Sequence, residues 1–372
     1  MRYCVLFPQA ENVHLIKDVG MIAYKLNKLY GYEAQLACYE NGSYPYAEKE
    51  VKGLKIAFIK RAFNNEILDG INYLRINAKN IDVLQVFHVT LRTIFYAFSF
   101  KHFNRRGKIF LKLDCTKQLI ENIKSLKGLK LMLFNKFIAR VDIMGVEQKS
   151  LYNELLKLLP NSKDKIINIP NGFDFNPPGD NFTYNFVDKK NIILNVGRIG
   201  STEKNIETLV KAFSNIEEEV RQGWTLMLVG PVTEEFKIYL QEFFENNPKS
   251  SASIILQGAV YDRHQLNEIY KKSKIFCSSS KFESFGIALL EAAAFGDILV
   301  STDTGIAREL TVAANGVVVE INNPEQLCKG LSSIMKKSPE ELEAMSKKTY
   351  DLCRENYNWD KIVKKLYAKI NN

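Results

Sequence analysis

The chain has 372 residues, more than one hydrophobic core usually supports, so about two domains are expected. Its 46% hydrophobic residues and many aromatic residues exclude a disordered chain, and no apolar run is long enough for a membrane-spanning helix. The six scattered cysteines show no CxxC spacing, which excludes an obvious zinc site or disulfide framework. We therefore expect a cytoplasmic protein in a reducing compartment.

The net charge of +9 is concentrated in the first half of the chain. Residues 1–180 hold 27 Lys/Arg and 17 Asp/Glu, whereas residues 181–372 hold 24 and 25. A basic half indicates an acidic partner, such as nucleic acid, an anionic membrane surface or a phosphorylated acceptor. Nucleic acid is disfavoured, because no recognised motif or aromatic–basic platform accompanies the charge.

In chain order, short apolar runs alternate with amphipathic stretches, which predicts α/β structure with parallel sheets covered on both faces. The strands predicted in the first half are Arg2–Phe7, Ala34–Cys38, Leu54–Ile59, Val83–Phe87, Lys108–Lys112, Val141–Val146 and Lys165–Ile169. Helices are predicted between several of these strands, at Asp18–Leu29, Asn65–Asn77 and Lys117–Phe137.

The second half repeats this alternation after a turn-rich segment that places an interdomain linker near residues 172–188. Its predicted strands are Asn191–Val196, Thr225–Val229, Ser253–Leu256, Ile275–Cys277, Ile298–Ser301 and Gly316–Val319. Its predicted helices are Thr202–Glu217, Glu234–Asn246, Arg263–Lys272, Gly286–Ala294, Pro324–Lys336 and Pro339–Tyr350. We expect two Rossmann-like, doubly wound domains that face each other across a cleft, with ligands beyond the carboxyl ends of the strands.

The loop after the strand Asn191–Val196 is a candidate anion site. Arg198 follows Gly197 directly, and Lys204 lies near the start of the next predicted helix. Backbone amides, the helix dipole and both cations could converge there on a phosphate. A solvated turn with surface charges fits the same residues.

A second candidate segment runs from Ser278 to Gly296. Glu283 is predicted in a loop, and the amides of residues 285–287 at the following helix start suit a phosphate, because Gly286 permits close backbone approach. Glu291 follows among Ala and Leu, and a carboxylate on an apolar helix face needs a partner. Paired hydroxyls of a ribose or sugar would serve, and so would an internal salt bridge.

With these motifs in order, residues 165–372 resemble the retaining, nucleotide-sugar-dependent glycosyltransferases of the GT-B fold, the group 1 type found in bacterial polysaccharide and glycolipid synthesis. The matching segments are Ile169–Asp174, Gly197–Asn205, Val229–Pro231, Gln257–Val260, Tyr270, Ser278–Ser280, Glu283–Gly296, Val300–Glu309 and Asn358–Trp359.

The resemblance implies roles for these residues. Arg198 and Lys204 would bind the donor diphosphate and stabilise the leaving nucleotide, Glu283 would contact the transferred sugar, and Glu291 would hold the ribose. The other donor-binding positions would be Gly197, Gly230, Gly258, Val260, Ser284, Phe285, Gly286 and Ile287. The resemblance also implies an acceptor-binding domain over residues 1–175, a donor-binding domain over 186–354, and a final helix, 355–372, that crosses back to the first domain.

The first half departs from the family pattern. Many relatives carry a glycine pair after the first strand, but only Gly20 remains here. Relatives often carry a His after a mid-domain strand near the reacting carbon, and the corresponding stretch offers Asp114 as a catalytic candidate. His88, at the end of the strand Val83–Phe87, is another candidate that a structural role also explains.

The function predicted from these features is transfer of a sugar from a nucleotide diphosphate sugar to a glycan or lipid-linked acceptor, with retained anomeric configuration and without cofactor. No DxD motif occurs, so no metal site is predicted, and the missing GxGxxG argues against a dehydrogenase. The alternatives are a nucleotide-sugar epimerase or hydrolase on the same fold, and a non-catalytic sugar-nucleotide-binding protein. Sugar, base, acceptor and linkage are not predicted.

The basic segment 101–140 also suggests peripheral membrane binding. It contains eleven Lys/Arg and two acidic residues, beside an apolar stripe at near-helical spacing. Such a stripe could lie on an anionic headgroup layer, or it could face the core of the domain with solvated lysines around it. Gly128 interrupts the stripe, so the segment could form one helix or two short helices. The stripe comprises Leu119, Ile120, Ile123, Leu126, Leu133, Phe134, Phe137 and Ile138.

Overall fold

The computed structural model describes residues 1–113, 116–177 and 183–372. The chain divides into two compact units, one formed by Met1–Asn181 with Asn358–Asn372 and the other by Phe182–Tyr357. Each unit contains one parallel sheet with helices, which confirms the predicted α/β class. The catalytic candidate Asp114 lies outside the described residues.

The first unit holds a seven-stranded parallel sheet in the order β3-β2-β1-β4-β5-β6-β7. Its strands are β1 Arg2–Leu6, β2 Glu33–Cys38, β3 Lys55–Phe58, β4 Val83–Phe87, β5 Lys108–Leu113, β6 Ile143–Val146 and β7 Ile166–Asn168. Every strand predicted in this half is confirmed, with ends that shift by a few residues. Alternate residues of β1 enter two different apolar clusters, so both faces of the sheet are covered.

The α-helices of the first unit are α1 Asp18–Tyr30, α2 Pro45–Lys49, α3 Glu66–Asn77, α4 Leu91–Phe103, α5 Lys117–Lys124, α6 Gly128–Arg140, α7 Lys149–Leu158 and, at the end of the chain, α17 Trp359–Asn371. Short 3₁₀ helices occur at Asn12–His14, Ala78–Asn80 and Pro160–Lys165. The single helix predicted over Lys117–Phe137 is therefore wrong, and the alternative of two short helices is confirmed. Gly128, the first residue of α6, adopts a positive φ of 54°, a conformation that interrupts a helix.

The predicted amphipathic stripe turns out to belong to the core. Ile120, Ile123, Phe134, Phe137 and Ile138 are buried in one apolar cluster of the first unit. These residues cannot lie on a headgroup layer while they pack against the sheet. Among the described residues, no helix is both long and apolar enough to cross a membrane.

The last helix is held on the first unit by a buried ion-pair cluster. The Lys25 ammonium on α1 lies 2.7 Å from Asp174 and 2.7 Å from Asp360, and the Lys25 side chain is fully buried. The amide of Trp359 donates to the carbonyl of Phe173 at 3.1 Å. Two of the family-like segments, Ile169–Asp174 and Asn358–Trp359, thus meet each other and act in packing.

The second unit holds a six-stranded parallel sheet in the order β10-β9-β8-β11-β12-β13. Its strands are β8 Lys190–Val196, β9 Thr225–Val229, β10 Ile254–Gly258, β11 Ser273–Ser278, β12 Ile298–Thr302 and β13 Val317–Val319, as predicted to within a few residues. Its helices are α8 Ile206–Ser214, α9 Glu218–Arg221, α10 Glu234–Asn246, α11 Pro248–Ser251, α12 Arg263–Lys272, α13 Ile287–Ala294, α14 Ala307–Ala313, α15 Pro324–Met335 and α16 Pro339–Asn356.

Candidate active site

The strand order of the second unit creates a switch point between β8 and β11. The chain leaves β8 through α8 toward β9 on one side, while β11 pairs with β8 on the other. The loops at the carboxyl ends of two such strands diverge and leave a crevice, where ligands of open α/β sheets bind. Both candidate segments, after β8 and after β11, begin at this point.

Three predicted donor-site glycines stand side by side at the carboxyl ends of β8, β9 and β10. The Gly197 amide donates to the Val229 carbonyl at 2.9 Å, and the Gly230 amide donates to the Gly258 carbonyl at 2.9 Å. A Cβ on Gly230 would lie 1.7 Å from the Gly197 carbonyl oxygen, so no side chain fits there. The absence of a side chain at Gly230 therefore allows the loops after β8 and β9 to pack closely. Val260 lies half-buried two residues beyond Gly258.

Lys204 and Glu283 meet directly at the switch point. The Lys204 Nζ lies 2.5 Å from the Glu283 Oε1, and both side chains are about one-fifth exposed, at 20% and 19%. The Ser280 hydroxyl donates to the same carboxylate oxygen at 2.8 Å. Both charged residues were predicted at the site from the sequence, but their contact and the hydrogen bond from Ser280 to the carboxylate were not.

Arg198 extends from the same loop into solvent. Its guanidinium is 68% exposed and lies 3.7 Å from Glu203, too far for a strong hydrogen bond. The Lys204 backbone is fixed, because its carbonyl accepts a hydrogen bond from the Ser279 hydroxyl at 3.0 Å. The loop therefore offers one anchored cation and one extended cation to an anion.

The segment after β11 leads into α13 through Gly286, which caps the helix with φ 97°. Only glycine adopts this conformation readily. Phe285 is buried, whereas Ser284 and Ile287 are half-buried at the turn. The first amides of a helix have no partner within it, so this turn can offer donors and a positive dipole end to an anion.

Glu291 has two protein partners, one for each carboxylate oxygen. The Arg263 guanidinium lies 2.6 Å from Oε1, and the Tyr270 hydroxyl donates to Oε2 at 3.1 Å. Burial raises the pKa of Tyr270 well above its ordinary value, which keeps this hydroxyl a donor. Of the two alternatives left by the sequence, the internal salt bridge is present, and the carboxylate keeps lone pairs for ligand hydroxyls. Arg263 was not predicted as a site residue, because no local sequence pattern connects it with Glu291.

In the first unit, His88 stands at the switch point between β1 and β4. Its φ is 58°, unusual for a residue with a side chain, and its amide donates to the Lys112 carbonyl at 3.0 Å. Lys112 is fully buried and pairs with Glu147 at 2.5 Å and with Asp18 at 3.1 Å. Burial favours the neutral amine, yet the two carboxylates raise the pKa of Lys112 above its ordinary value.

A polar pocket lies at the carboxyl ends of β1 and β2 in the same unit. The Gln9 amide donates to Glu66 at 2.6 Å, and Arg61 donates to Asn41 at 3.0 Å. Burial, aided by Lys17, lowers the pKa of His14 in the pocket wall, which favours the neutral ring at pH 7. The pocket was not predicted from sequence, because its walls come from distant segments, Phe7, Gln9, Glu11, His14, Tyr39, Asn41, Arg61 and Glu66.

Residues 180–352 match the family model of the glycosyl transferases group 1. A probable sucrose-phosphate synthase of Thermosipho melanesiensis is 27% identical over 63% of this chain and 53% of its own length. A Campylobacter jejuni enzyme, N-acetylgalactosamine-N,N'-diacetylbacillosaminyl-diphospho-undecaprenol 4-alpha-N-acetylgalactosaminyltransferase, is 24% identical over 87% of this chain and 82% of its own. The chain spans about half the length of several curated relatives that it matches.

Solved structures with the same fold cover essentially the whole chain. The Anabaena HepE complex with UDP and glucose superposes with a TM-score of 0.71 at 13% identity, covering 100% of this chain and 99% of HepE. The sucrose-phosphate synthase of Thermosynechococcus elongatus gives 0.69 at 13% identity, covering 99% and 98%. Residues 180–352 therefore form a glycosyl transferases group 1 domain, and the chain as a whole has the GT-B architecture.

Proposed function

We propose that this protein transfers a sugar from a nucleotide diphosphate sugar to an acceptor hydroxyl. The observation that carries the proposal is the Lys204–Glu283–Ser280 cluster at the switch point of the second sheet. It combines a cation for the diphosphate with a carboxylate for sugar hydroxyls, next to the turn that begins α13. Ser280 holds Glu283 independently of Lys204, so the ammonium can turn to a phosphate while the carboxylate keeps its place.

Further contacts support this assignment. Arg198 reaches solvent from the same loop and can add bidentate hydrogen bonds to phosphate oxygens. The α13 turn adds amide donors, and Glu291, held by Arg263 and Tyr270, suits the ribose hydroxyls. HepE, which shares the fold, is described in complex with UDP and glucose.

Retention is part of the proposal and follows from the family resemblance. The acceptor hydroxyl would attack the face from which the phosphate departs, and a leaving phosphate oxygen would take its proton. Arg198 and Lys204 would stabilise the charge that develops on the diphosphate. We also propose that no divalent metal takes part, because the chain lacks a DxD motif and the two cations can stabilise the charge on the diphosphate instead.

For the acceptor, we propose a glycan or a glycan on a lipid carrier, in the synthesis of a cell-surface polysaccharide or glycolipid. The polar pocket of the first unit offers amide, carboxylate and guanidinium groups, the chemistry that binds sugar hydroxyls. A relative that this chain matches over most of its length is named for an undecaprenol-linked acceptor.

The experiment has two steps. Thermal unfolding with UDP, GDP and ADP identifies the nucleotide, because a bound ligand raises the unfolding temperature. The matching labelled nucleotide sugars are then incubated with glycan and lipid-linked acceptors in excess EDTA, and the anomeric configuration of the product is read by NMR. An isomerised donor would indicate an epimerase, free sugar alone a hydrolase, and binding without turnover a non-catalytic protein. Turnover restored by magnesium or manganese would contradict metal independence.

A further inference from the structure

The polar pocket of the first unit contains an arginine that the protein orders without neutralising it. The Arg61 guanidinium carbon lies 3.9 Å from the centre of the Tyr39 ring, and the guanidinium donates to the Asn41 side-chain oxygen at 3.0 Å. Over residues 1–113, 116–177 and 183–372, Arg61 forms no ion pair, whereas Arg92, on the helix that follows β4, pairs with Glu66. Since a guanidinium has five N–H donors and no acceptor, Arg61 keeps donors for a ligand in the pocket.

The two carboxylates in the pocket wall do not neutralise Arg61. Glu66 pairs with Arg92 and accepts a hydrogen bond from the Gln9 side-chain amide at 2.6 Å. Glu11 caps the 3₁₀ helix Asn12–His14 and accepts a hydrogen bond from its backbone. The pocket therefore combines one unpaired cation with amide and carboxylate groups that can bind hydroxyls.

A buried carboxylate holds the segment that carries Arg61. Asp69, on α3, is fully buried and accepts a hydrogen bond from the Tyr39 hydroxyl at 2.9 Å. The backbone amides of Phe63 and Asn65 donate to the same carboxylate at 2.8 Å and 3.2 Å. Burial opposes ionisation, yet these hydrogen bonds hold the pKa of Asp69 below its ordinary value. Asp69 thus fixes both the ring on which Arg61 stacks and the loop that follows Arg61.

The order imposed on Arg61 matters for binding, because a side chain that is already fixed loses less conformational entropy when a ligand binds. A fixed guanidinium binds a carboxylate or a phosphate through two parallel hydrogen bonds, which are stronger than those to neutral groups. A neutral sugar would leave the guanidinium without a counterion. The pocket is therefore suited to a ligand that carries both hydroxyls and one anionic group.

We infer that Arg61 recognises a carboxylate or a phosphate ester on the acceptor sugar, and that Asp69 positions Arg61 for this contact. The inference rests on the proposed function and deepens it, because the acceptor is then an acidic glycan or a phosphorylated sugar. The pocket has a volume of about 510 Å³, within the range of sites that bind small ligands. The anionic group contacts Arg61, and the sugar hydroxyls contact Gln9, Asn41 and Glu11.

NMR titration of the whole chain with monosaccharides tests the inference without turnover. The probes are glucuronic acid, galacturonic acid and glucose 6-phosphate, with glucose and galactose as neutral controls. A saturating nucleoside diphosphate is present, so that the anionic probes do not bind at Arg198 and Lys204. We expect at least one acidic probe to bind about tenfold or more tightly than its neutral counterpart, because hydrogen bonds to charged groups are the stronger ones. A preference for a uronic acid indicates a carboxylate, and a preference for glucose 6-phosphate indicates a phosphate.

Arg61→Gln should remove this preference and leave the affinity for the neutral sugar unchanged, whereas Arg61→Lys should keep part of it. Asp69→Asn should weaken binding of the acidic probe by a similar factor, because the amide places N–H groups against the Tyr39 hydroxyl and the loop amides. Combined with Arg61→Gln, it should cause no further loss, since Asp69 acts only through Arg61. Arg75→Gln removes an exposed arginine from α3 outside the pocket, and this matched control should bind as wild type does.

The unfolding temperature and the nucleotide affinity of every variant are measured alongside. Arg61→Gln changes an exposed side chain, so it tests the inference even if Asp69→Asn does not fold. Tyr39→Phe then replaces Asp69→Asn and should cause a smaller loss, because it removes one hydrogen bond to the carboxylate and keeps the ring.

The inference is overturned if no acidic probe is preferred, if Arg61→Gln weakens binding of the neutral sugar equally, or if Arg75→Gln loses as much binding as Arg61→Gln. A double variant that binds the acidic probe more weakly than Arg61→Gln alone would show that Asp69 does not act through Arg61. Nucleotide binding and sugar transfer are measured separately, so failure of this inference is distinguishable from failure of the proposed function.

Discussion

Two of the lysine–carboxylate pairs in the second unit lie at opposite ends of the strands of its sheet. Lys204–Glu283 lies beyond the carboxyl ends of β8 and β11, with 2.5 Å between nitrogen and oxygen. Lys189–Asp297 lies before the amino ends of β8 and β12, with 2.6 Å. Lengths alone do not distinguish the pairs, but exposure does, because the first pair is about one-fifth exposed and the second is at most 1% exposed.

The surroundings explain the difference. Lys189 also donates to the carbonyls of Ser273 and Tyr270, so the protein satisfies its ammonium group completely. Burial raises the pKa of Asp297 to about 7, although Lys189 opposes this shift. Lys204 and Glu283 instead border a crevice with groups that a ligand can reach. A buried pair joins secondary-structure elements, whereas a reachable pair at a switch point is available for chemistry.

Breaking the buried pair should have the largest effect. We expect Asp297→Ala to lower the free energy of unfolding by about 3–5 kcal/mol, because it leaves a buried ammonium without its carboxylate. Urea denaturation followed by circular dichroism measures this loss. Nucleotide affinity of the folded fraction should stay near wild type, and a variant of normal stability would show that the pair does not tie the elements together.

Loss of the cations or the carboxylate at the reachable pair should strongly reduce transfer without unfolding the protein. We expect Lys204→Ala, Glu283→Gln and Arg198→Ala each to reduce turnover by about 10²–10³, as loss of one transition-state contact typically does. Their unfolding free energies should change by about 1 kcal/mol or less, since partly exposed ion pairs contribute little. Lys211→Ala, an exposed lysine on α8, is the matched control. Near-normal turnover in the three site variants would contradict the proposed role of these residues in sugar transfer.

Glu291 should act mainly through donor binding. We expect Glu291→Gln to weaken nucleotide diphosphate binding roughly 10- to 100-fold, because hydrogen bonds to a charged group are stronger than those to an amide. Tyr270→Phe should have a smaller effect in the same direction, since it removes one of the two groups that orient the carboxylate. Calorimetric titration measures both, with the exposed Glu235→Gln as control. Unchanged affinity with lost turnover would indicate that Glu291 contacts the reacting sugar and not the ribose.

The buried pair should also make the stability of the protein depend on pH. An aspartate with a raised pKa binds a proton in the folded state that the unfolded chain has already released, so its contribution to stability falls as the pH rises from about 4 to about 7. Wild type should therefore lose stability relative to Asp297→Asn as the pH rises over this range. Denaturation at several pH values measures it, and a constant difference would indicate that Asp297 is ionised throughout.

Much of this molecule could be predicted from local sequence patterns. Both sheets were predicted strand by strand, because a buried parallel strand is a short apolar run that can be recognised without its neighbours. Residues that follow the strands, such as Gly197 and Glu283, were predicted as site residues from their order along the chain, which resembles the family pattern. The break at Gly128 was predicted only as an alternative to one long helix, because one glycine can be tolerated inside a helix or can end it.

The sequence by itself determined the α/β class, the switch from basic to neutral charge and the ordered residues that resemble a glycosyltransferase. Only the tertiary structure decided which charged groups are in contact. It brings Lys204 to Glu283 and Arg263 to Glu291, and it buries the pair of Lys189 and Asp297. It also decided which apolar residues of α6 are core and which stay exposed. The physical reason is that periodicity is a property of one segment, whereas burial and pairing depend on segments far apart in the chain that the sheet brings together.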